Sequence, residues 1–478
     1  GLLTRRAVDR AMSHGLGQRR VREIMDAGEV TVRPTDSIEV LQQRMMHTGW
    51  GQIPVVDDQG RLLGIVTRTD LIKRWGQRPD DGRREQILRR MQAALSPGLW
   101  RLVTAIAQQA QKQRVGLYLV GGFVRDLLLG QPTHDLDLVV EDDAIALVEA
   151  LCATYGGDMR SHAQFGTAKW LLDESVARAL GSSLQENGWP DFLDFATARR
   201  EFYEQPTALP TVQRSSIKPD LYRRDFTINT LAIRLSPEPM GELLDFYGGE
   251  QDLKDGIIRV LHSLSFVDDP TRMLRAVRLE QRLDFRIEPR TEELIRNAIG
   301  LLDRVSGDRI RHELALILAE PYPLRALARL ERLGILAAIH PQLRVDEWVR
   351  SAFYAVRYAR QHHPWPSLAT FDNWMLTSFS LFTSRLPEDE LERLGRRLQF
   401  SRRYLNHLQD ARAAIALLPR LSEPLSPSEV VRLLEPLDEV GWLAAWAAAP
   451  NAVAREQIER FASTWRFVRP TVGGQELR

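Results

Sequence analysis

The chain has 478 residues, enough for more than one domain, and its 64 Lys+Arg against 63 Asp+Glu leave a net charge of only +1, which excludes a globally basic nucleic-acid binder and leaves room for a local patch only. A single cysteine, Cys152, rules out an internal disulfide and fits a reducing cytoplasm. No apolar run reaches the length of a bilayer span, so a soluble protein without a membrane partner is expected.

The N-terminal quarter contains an internal echo. Gly64-Ile65-Val66-Thr67-Arg68-Thr69-Asp70 repeats Gly1-Leu2-Leu3-Thr4-Arg5-Arg6, with Ala7 where Asp70 would recur. Before the second copy stand a turn at Arg33-Pro34-Thr35-Asp36, an amphipathic helix near 37–47 and a strand over 52–57. The pattern resembles the cystathionine-β-synthase (CBS) domain, an α/β module that works in pairs. The resemblance implies one repeat over 14–75, the end of a preceding repeat over 1–13, and a homodimer through the module. It also implies Thr67 and Asp70 as contacts to an adenosine nucleotide; a purely structural module is the alternative. Residues 76–97 read as a charged linker.

A helix over 98–113 leads into the most telling stretch, LYLVGGFVRDLLLGQPTHDLDLVV at 117–140. An apolar strand, 117–120, runs into Gly121 and Gly122, then into a helix carrying Arg125 that Gly130 and Pro132 end. The next strand carries Asp135 and Asp137 on either side of Leu136. Side chains two apart on a strand share a face, so both carboxylates project together and can share a metal. The glycines let backbone N–H groups approach a phosphate, Arg125 adds a fixed positive fork, and paired hard oxygens suit Mg²⁺. Leu136 and 138–140 make the strand read as buried, which predicts buried carboxylates with a charge partner. The alternative is a tight strand-turn-helix with two solvated aspartates.

Further along, 142–155 reads as helix, and 165–172 and 192–197 as strands. Asp194 in the last is either a third carboxylate or an acid at a sheet edge. The stretch 201–222, with Pro206, Pro210 and Pro219, reads as a long functional loop. It ends in Arg223-Arg224-Asp225-Phe226-Thr227-Ile228-Asn229, where Asp225 is placed to N-cap a helix and Arg224 faces the same cleft. Asp245-Phe246-Tyr247-Gly248-Gly249 reads as a short strand and turn. From Asp268 the chain becomes almost wholly helical, with Asp268 or Asp269 as cap and Pro270 in the first turn. Arg272, Arg275, Arg278 and Arg282 fall within a sector of about 120°. With few acids beside them in sequence, they form either a solvated face or an anion site. Arg309 and Arg311 read the same way, as does the cluster Arg393, Arg396, Arg397, Arg402 and Arg403 around Phe400 and Tyr404, a pattern that fits RNA backbone contact.

In order, GGFVRD with DLD, RRDFTIN, DFYGG, DDPTRMLRAVR and RIRHEL resemble the class II tRNA nucleotidyltransferase and bacterial poly(A) polymerase family, over roughly 98–420. The resemblance implies an α+β polymerase-β-like nucleotidyltransferase head over 98–260. An all-α remainder would follow, with a neck over 261–325 and a body and start of a tail over 326–478. By the same resemblance Gly121, Gly122 and Arg125 hold the triphosphate, Asp135 and Asp137 bind two Mg²⁺ ions, and Asp194 is a third carboxylate. Arg224 contacts the incoming nucleotide. Asp269 and Arg272 read the base in place of a template, the carboxylate accepting from an exocyclic amino group and the arginine donating to ring acceptors. Arg275 and Arg278 support them. One departure is visible, since the family has glutamate where this chain has Asp268. The implied activity is transfer of CMP and/or AMP from CTP and ATP to a tRNA 3′ end, completing CCA, CC or A. A general poly(A) polymerase is the near alternative, and a non-catalytic adenylate sensor that binds RNA a remote one. The chain reads as a piece of a longer protein, related long forms of which carry a DHH phosphoesterase domain.

Overall fold

The computed structural model describes residues 3, 5–25, 30–48, 50–67, 82–132, 136–184, 189–202, 211–362 and 371–468. The chain divides into two compact units, Gly1–Asp269 with Asp284–Leu294, and Pro270–Leu283 with Ile295–Arg478.

In the first unit, helices Arg5–Ser13 and Val21–Ile24 precede helix Ile38–Thr48 and an antiparallel pair, β1 (Gln52–Val56) and β2 (Leu62–Thr67). Asp57 makes the turn between the strands by accepting from the amides of Gln59 and Arg61, each at 2.9 Å. Val32, Leu41, Met45 and Ile53 form a small core of their own. Thr67 ends β2, while Asp70 lies outside the described residues.

The head is built on β3 (Leu117–Val120), β4 (Asp137–Val140), β5 (Asp158–His162), β6 (Thr167–Leu171), β7 (Phe192–Thr197), β8 (Arg199–Phe202), β9 (Thr211–Arg214), β10 (Ala232–Ser236) and β11 (Leu243–Leu244). Among the described residues a seven-stranded sheet runs β11-β10-β3-β4-β7-β6-β5. All its neighbours are antiparallel except β4 and β7, which run parallel. All four residues of β3 are buried, as expected of a continuous apolar strand covered on both faces. Helix Pro97–Gln113 starts on Ser96, whose hydroxyl accepts from the Leu99 amide at 3.2 Å, with Pro97 in its first turn. It buries Leu102, Val103, Ile106 and Ala110 and packs on β10. The 201–222 segment is not the single irregular loop expected. β8 and β9 pair as a hairpin and helix Ile217–Tyr222 follows, with 203–210 outside the described residues.

In the second unit the described residues are helical from Arg272–Leu283 to Ala452–Ser463, with an aliphatic core that includes Ile310, Leu314, Ile317, Leu327 and Leu330. The fold class is thus the expected one, an α/β N-terminal module, an α+β head and an all-α remainder. Among the described residues no helix is long and apolar enough to cross a membrane.

Candidate active site

The site begins where β3 ends. Gly121 turns the chain at φ +70°, ψ −133° into helix Gly122–Leu129, a combination open almost only to glycine. A Cβ at Gly121 would lie 3.0 Å from Arg224 Nη1 and 3.5 Å from Asp137 Oδ2. One backbone turn therefore brings the GGFVRD, DLD and RRDFTIN segments within contact distance. No side chain caps the helix N-terminus, the arrangement in which the first N–H groups serve an anion.

The carboxylates follow from strand register. Asp137 of β4 pairs with Asp194 of β7, and Asp194 pairs with Lys169 of β6. Directly paired residues project from the same face, so Lys169, Asp194 and Asp137 form a row across three strands. Lys169 Nζ lies 3.2 Å from Asp194 Oδ1, with both side chains half exposed. Asp137 is exposed although 138–140 are buried, so the expectation of a buried carboxylate is corrected. Asp137 stands between two buried leucines, Leu136 and Leu138, which take the opposite face and leave its own side chain exposed at the first residue of β4. Asp135 lies outside the described residues, among which no group of three or more Asp, Glu, His or Cys is arranged to hold a metal. Two oxygen-bearing side chains side by side on one face are nevertheless a donor set that fits Mg²⁺.

Arg125 is not the open fork expected. It is buried; Nε and Nη2 donate to both Asp126 oxygens at 2.8 and 3.0 Å, and Nη1 donates to Asn229 Oδ1 at 2.8 Å. The guanidinium is committed to bracing the turn from beneath, because a buried arginine needs acceptors at hand. Asn229 in turn donates to Asp225 Oδ1 at 3.0 Å, which also accepts from the Phe226 amide at 2.8 Å. Asp225 therefore does not N-cap an α-helix; it holds together a single 3₁₀ turn, Thr227–Asn229. Gly249 packs so closely on that turn that a Cβ would meet the Thr227 carbonyl oxygen at 2.3 Å. Asp245 takes the amides of Tyr247, Gly248, Gly249 and Glu250 at 2.8–3.1 Å and so starts helix Gly249–Asp255. The DFYGG segment is scaffold, and its acid is spent on backbone.

Asp220, inside the 201–222 segment, is a further residue of the site. It is fully buried and accepts from Arg223 Nε at 2.9 Å, Arg224 Nη2 at 3.4 Å and the Arg199 amide at 3.2 Å. Burial pushes its carboxyl up, but Arg223, Arg224 and the Arg199 amide outweigh this and hold it below the ordinary carboxylate range. Asp220 thereby fixes Arg224 beside Gly121. The i, i+3, i+4 spacing of Asp220, Arg223 and Arg224 was the available signal.

Asp268 ends a short helix, Ser265–Asp268, and Asp269 leaves it in extended conformation at φ −143°. Helix Arg272–Leu283 thus begins after Pro270 and Thr271, two residues later than a cap at Asp269 would place it. In the second unit the arginine stripe is not a bare face. Arg272 is buried, and Arg278 lies 3.7 Å from Glu313 and 3.9 Å from Glu320. The acids missing from the local sequence arrive on the helix Gly307–Ala319 and just beyond it. Burial lowers the Arg278 pKa against the pull of Glu313, and burial raises that of Glu320 against Arg282 and Arg278. Arg311 and Arg397 donate to main-chain carbonyls, those of Leu398 and of Val305 and Leu302. Phe400 is buried and stacks on Tyr404 at 4.5 Å, so that pair packs the core rather than presenting an RNA platform. Exposed aromatics of this unit include Tyr322, Tyr354, Tyr358 and Phe467, with Arg357 4.1 Å over the Tyr322 ring.

A strand-turn-helix that presents one aspartate of β4 beside another of β7 is the architecture of a polymerase-β-like nucleotidyltransferase head. Residues 117–259 match the family described as "Poly A polymerase head domain", 21–76 the CBS domain, and 284–346 the "Probable RNA and SrmB-binding site of polymerase A". The chain is 37% identical over 432 residues to the A-adding tRNA nucleotidyltransferase of Geobacter sulfurreducens, covering 86% of this chain and 47% of that protein. The chain spans about half the length of the curated relatives it matches. It superposes on a CCA-adding enzyme in an apo form with a TM-score of 0.68 and 32% identity, covering 81% of this chain and 88% of that one. The Thermotoga maritima CCA-adding enzyme complexed with tRNA gives a TM-score of 0.63 at 32% identity, covering 82% and 88%. The chain belongs to the tRNA nucleotidyltransferase family with a poly(A) polymerase-type head.

Proposed function

We propose that the chain transfers AMP from ATP to the 3′ end of a tRNA that already ends in CC. The observation that carries the chemistry is the register of Asp137 beside Asp194, next to Gly121 and Arg224. Two relatives matched over 86% and 70% of this chain are named A-adding, which favours AMP over CMP.

Asp137 and Asp194, with Asp135 carried over from the family motif, would hold Mg²⁺, which when bound neutralises phosphate charge and activates the attacking hydroxyl. The N–H groups at the start of helix Gly122–Leu129 face the triphosphate. Arg224, fixed by Asp220, adds a positive charge that need not be reorganised during reaction. Arg125 acts indirectly, keeping the turn rigid through Asp126 and Asn229. The tRNA 3′-hydroxyl gives its proton to solvent and its oxygen bonds to the α-phosphorus, as pyrophosphate leaves with the electron pair of the broken P–O bond. Asp269 accepts from the exocyclic amino group of adenine and Arg272 donates to its ring acceptors, with Arg275 and Arg278 in support. Tyr322, Tyr354 and Tyr358 with Arg357 offer a stacking and phosphate-contact surface for the RNA.

The test incubates the protein with Mg²⁺ and tRNAs ending in the discriminator base, in CC or in CCA, with CTP and ATP supplied separately. One AMP on the CC end, and no CMP on the bare end, is the expected result. CMP on the bare end would overturn the A-only reading, and long A tails on unrelated RNA would place the chain among general poly(A) polymerases.

A further inference from the structure

Asp268 is 2% exposed, yet none of the nucleotide chemistry uses it. A carboxylate so placed is stable only against partners that meet its charge. Two of these come from the very start of the chain. His14 Nε2 lies 2.8 Å from Asp268 Oδ1, with the His14 side chain fully buried, and Arg10 Nε lies 3.3 Å from Oδ2. The third is local: His262 Nε2 lies 3.7 Å from Oδ2, and Arg10 Nη1 2.8 Å from His262 Nε2. The His262 ring stacks on Tyr222 at 5.3 Å, two residues before Arg224. Apolar contact backs the charges: Ala11, Ile24 and Leu264 form one buried cluster, with Leu3, Leu16 and Val267 packed on it. Ser263 Oγ donates to the Ile24 carbonyl at 3.0 Å.

This contact fastens the short helix that ends at Asp268, and Asp269 is the next residue, leaving the helix in extended conformation. A shift of Asp268 moves Asp269 with it. We infer that Arg10 and His14 are positioning residues for nucleotide recognition: they act through Asp268 to place Asp269, making the segment before the CBS domain a working part of the nucleotide site. The inference rests on the proposed role of Asp269. It also accounts for the shorter acid at position 268, because the imidazole and guanidinium reach in to meet it.

The test measures ATP binding by calorimetry with Mg²⁺, and separately KM and kcat for AMP transfer, in the wild-type chain and in Arg10→Ala, His14→Ala, His14→Gln and Asp268→Asn. Both alanine variants are expected to weaken ATP binding about 10-fold, a typical coupling factor between linked positions, with the larger change in KM and tRNA affinity kept. His14→Gln, which keeps a donor near Nε2, is expected to recover most of the loss. His14→Ala added to Asp268→Asn is expected to cost little more than Asp268→Asn alone, since both break one contact. Unchanged ATP affinity in both alanine variants overturns the inference. So does an equal fall in ATP and tRNA affinity that tracks a lower melting temperature and is not rescued by glutamine. If the wild-type chain binds ATP but transfers nothing, the proposed function fails while the binding measurements still decide this point. If it binds no ATP, both fall.

Discussion

Gly121→Ala tests the site's construction most directly. The backbone there, at φ +70° and ψ −133°, lies outside the left-handed helical region that alanine tolerates at moderate cost. Residues forced into such conformations cost about 1–3 kcal/mol, and this one belongs near the upper end. The new methyl would also meet Arg224 Nη1 at 3.0 Å. The arginine is flexible and swings aside, but it then loosens its 3.4 Å bond to Asp220. At about 2–4 °C per kcal/mol for a unit of this size, the melting temperature of the first unit should fall by about 5–10 °C. AMP transfer at 25 °C, where the protein remains folded, should fall about 100-fold, the scale of loss when a catalytic group is misplaced by about 1 Å. Gly130→Ala is the control. It too has positive φ, at +67°, but nothing lies within 4 Å of its would-be Cβ. It should lose stability by about 1 kcal/mol and keep its turnover. Thermal unfolding by circular dichroism and single-turnover transfer are the assays. Equal behaviour of the two variants would refute the argument, because strain alone would then explain both.

Asp137→Asn should lower transfer at least about 1000-fold while tRNA binding, followed by filter retention, stays near wild type; wild-type turnover would remove Asp137 from the chemistry. Asp269→Ala should lose base choice before it loses catalysis, seen as UTP and GTP incorporation, and unchanged selectivity would contradict its assigned role. Asp220 carries a depressed pKa, so the stability it contributes is complete above the ordinary carboxylate value of about 3.9 and is lost as pH falls below that. The melting-temperature gap between wild type and Asp220→Asn should therefore be widest above about pH 5 and shrink toward pH 3. A gap independent of pH would show that the Asp220 charge does not matter.

Much of this organisation is legible in the residues themselves. β3 and β7 stand out as short apolar runs ended by glycine or threonine, and the GGFVRD turn announces itself because glycine is needed at Gly121. What stays hidden is hidden for physical reasons. β5, with the sequence DMRSH, is almost all polar and exposed, since among the described residues it is an edge strand paired only with β6. The β8–β9 hairpin was masked by the prolines that follow β8. Exposure of Asp137 is obscured by the apolar run that follows it, where Val139, on the same face two residues on, is buried. Arg125 and Arg224 look alike in sequence, and only their neighbours reveal that one is spent on Asp126 and Asn229 while the other stands beside Gly121. In the same way the acids that answer the Arg278 charge sit on helix Gly307–Ala319 and at its C-terminal cap, beyond the reach of any local pattern.

The parallel junction between β4 and β7 also sets a clock. β7 enters the sheet between β4 and β6, strands made before it, so the β5–β6 pair cannot join the rest until β7 arrives. At synthesis rates of about 5–20 residues per second, several seconds separate Asp137 from Asp194 leaving the ribosome. During that interval the β4 edge is open and the carboxylate row is incomplete. A nascent chain therefore has no assembled Asp137–Asp194 pair until β7 is in place. The row of Asp137, Asp194 and Lys169 forms only with the insertion of that one strand.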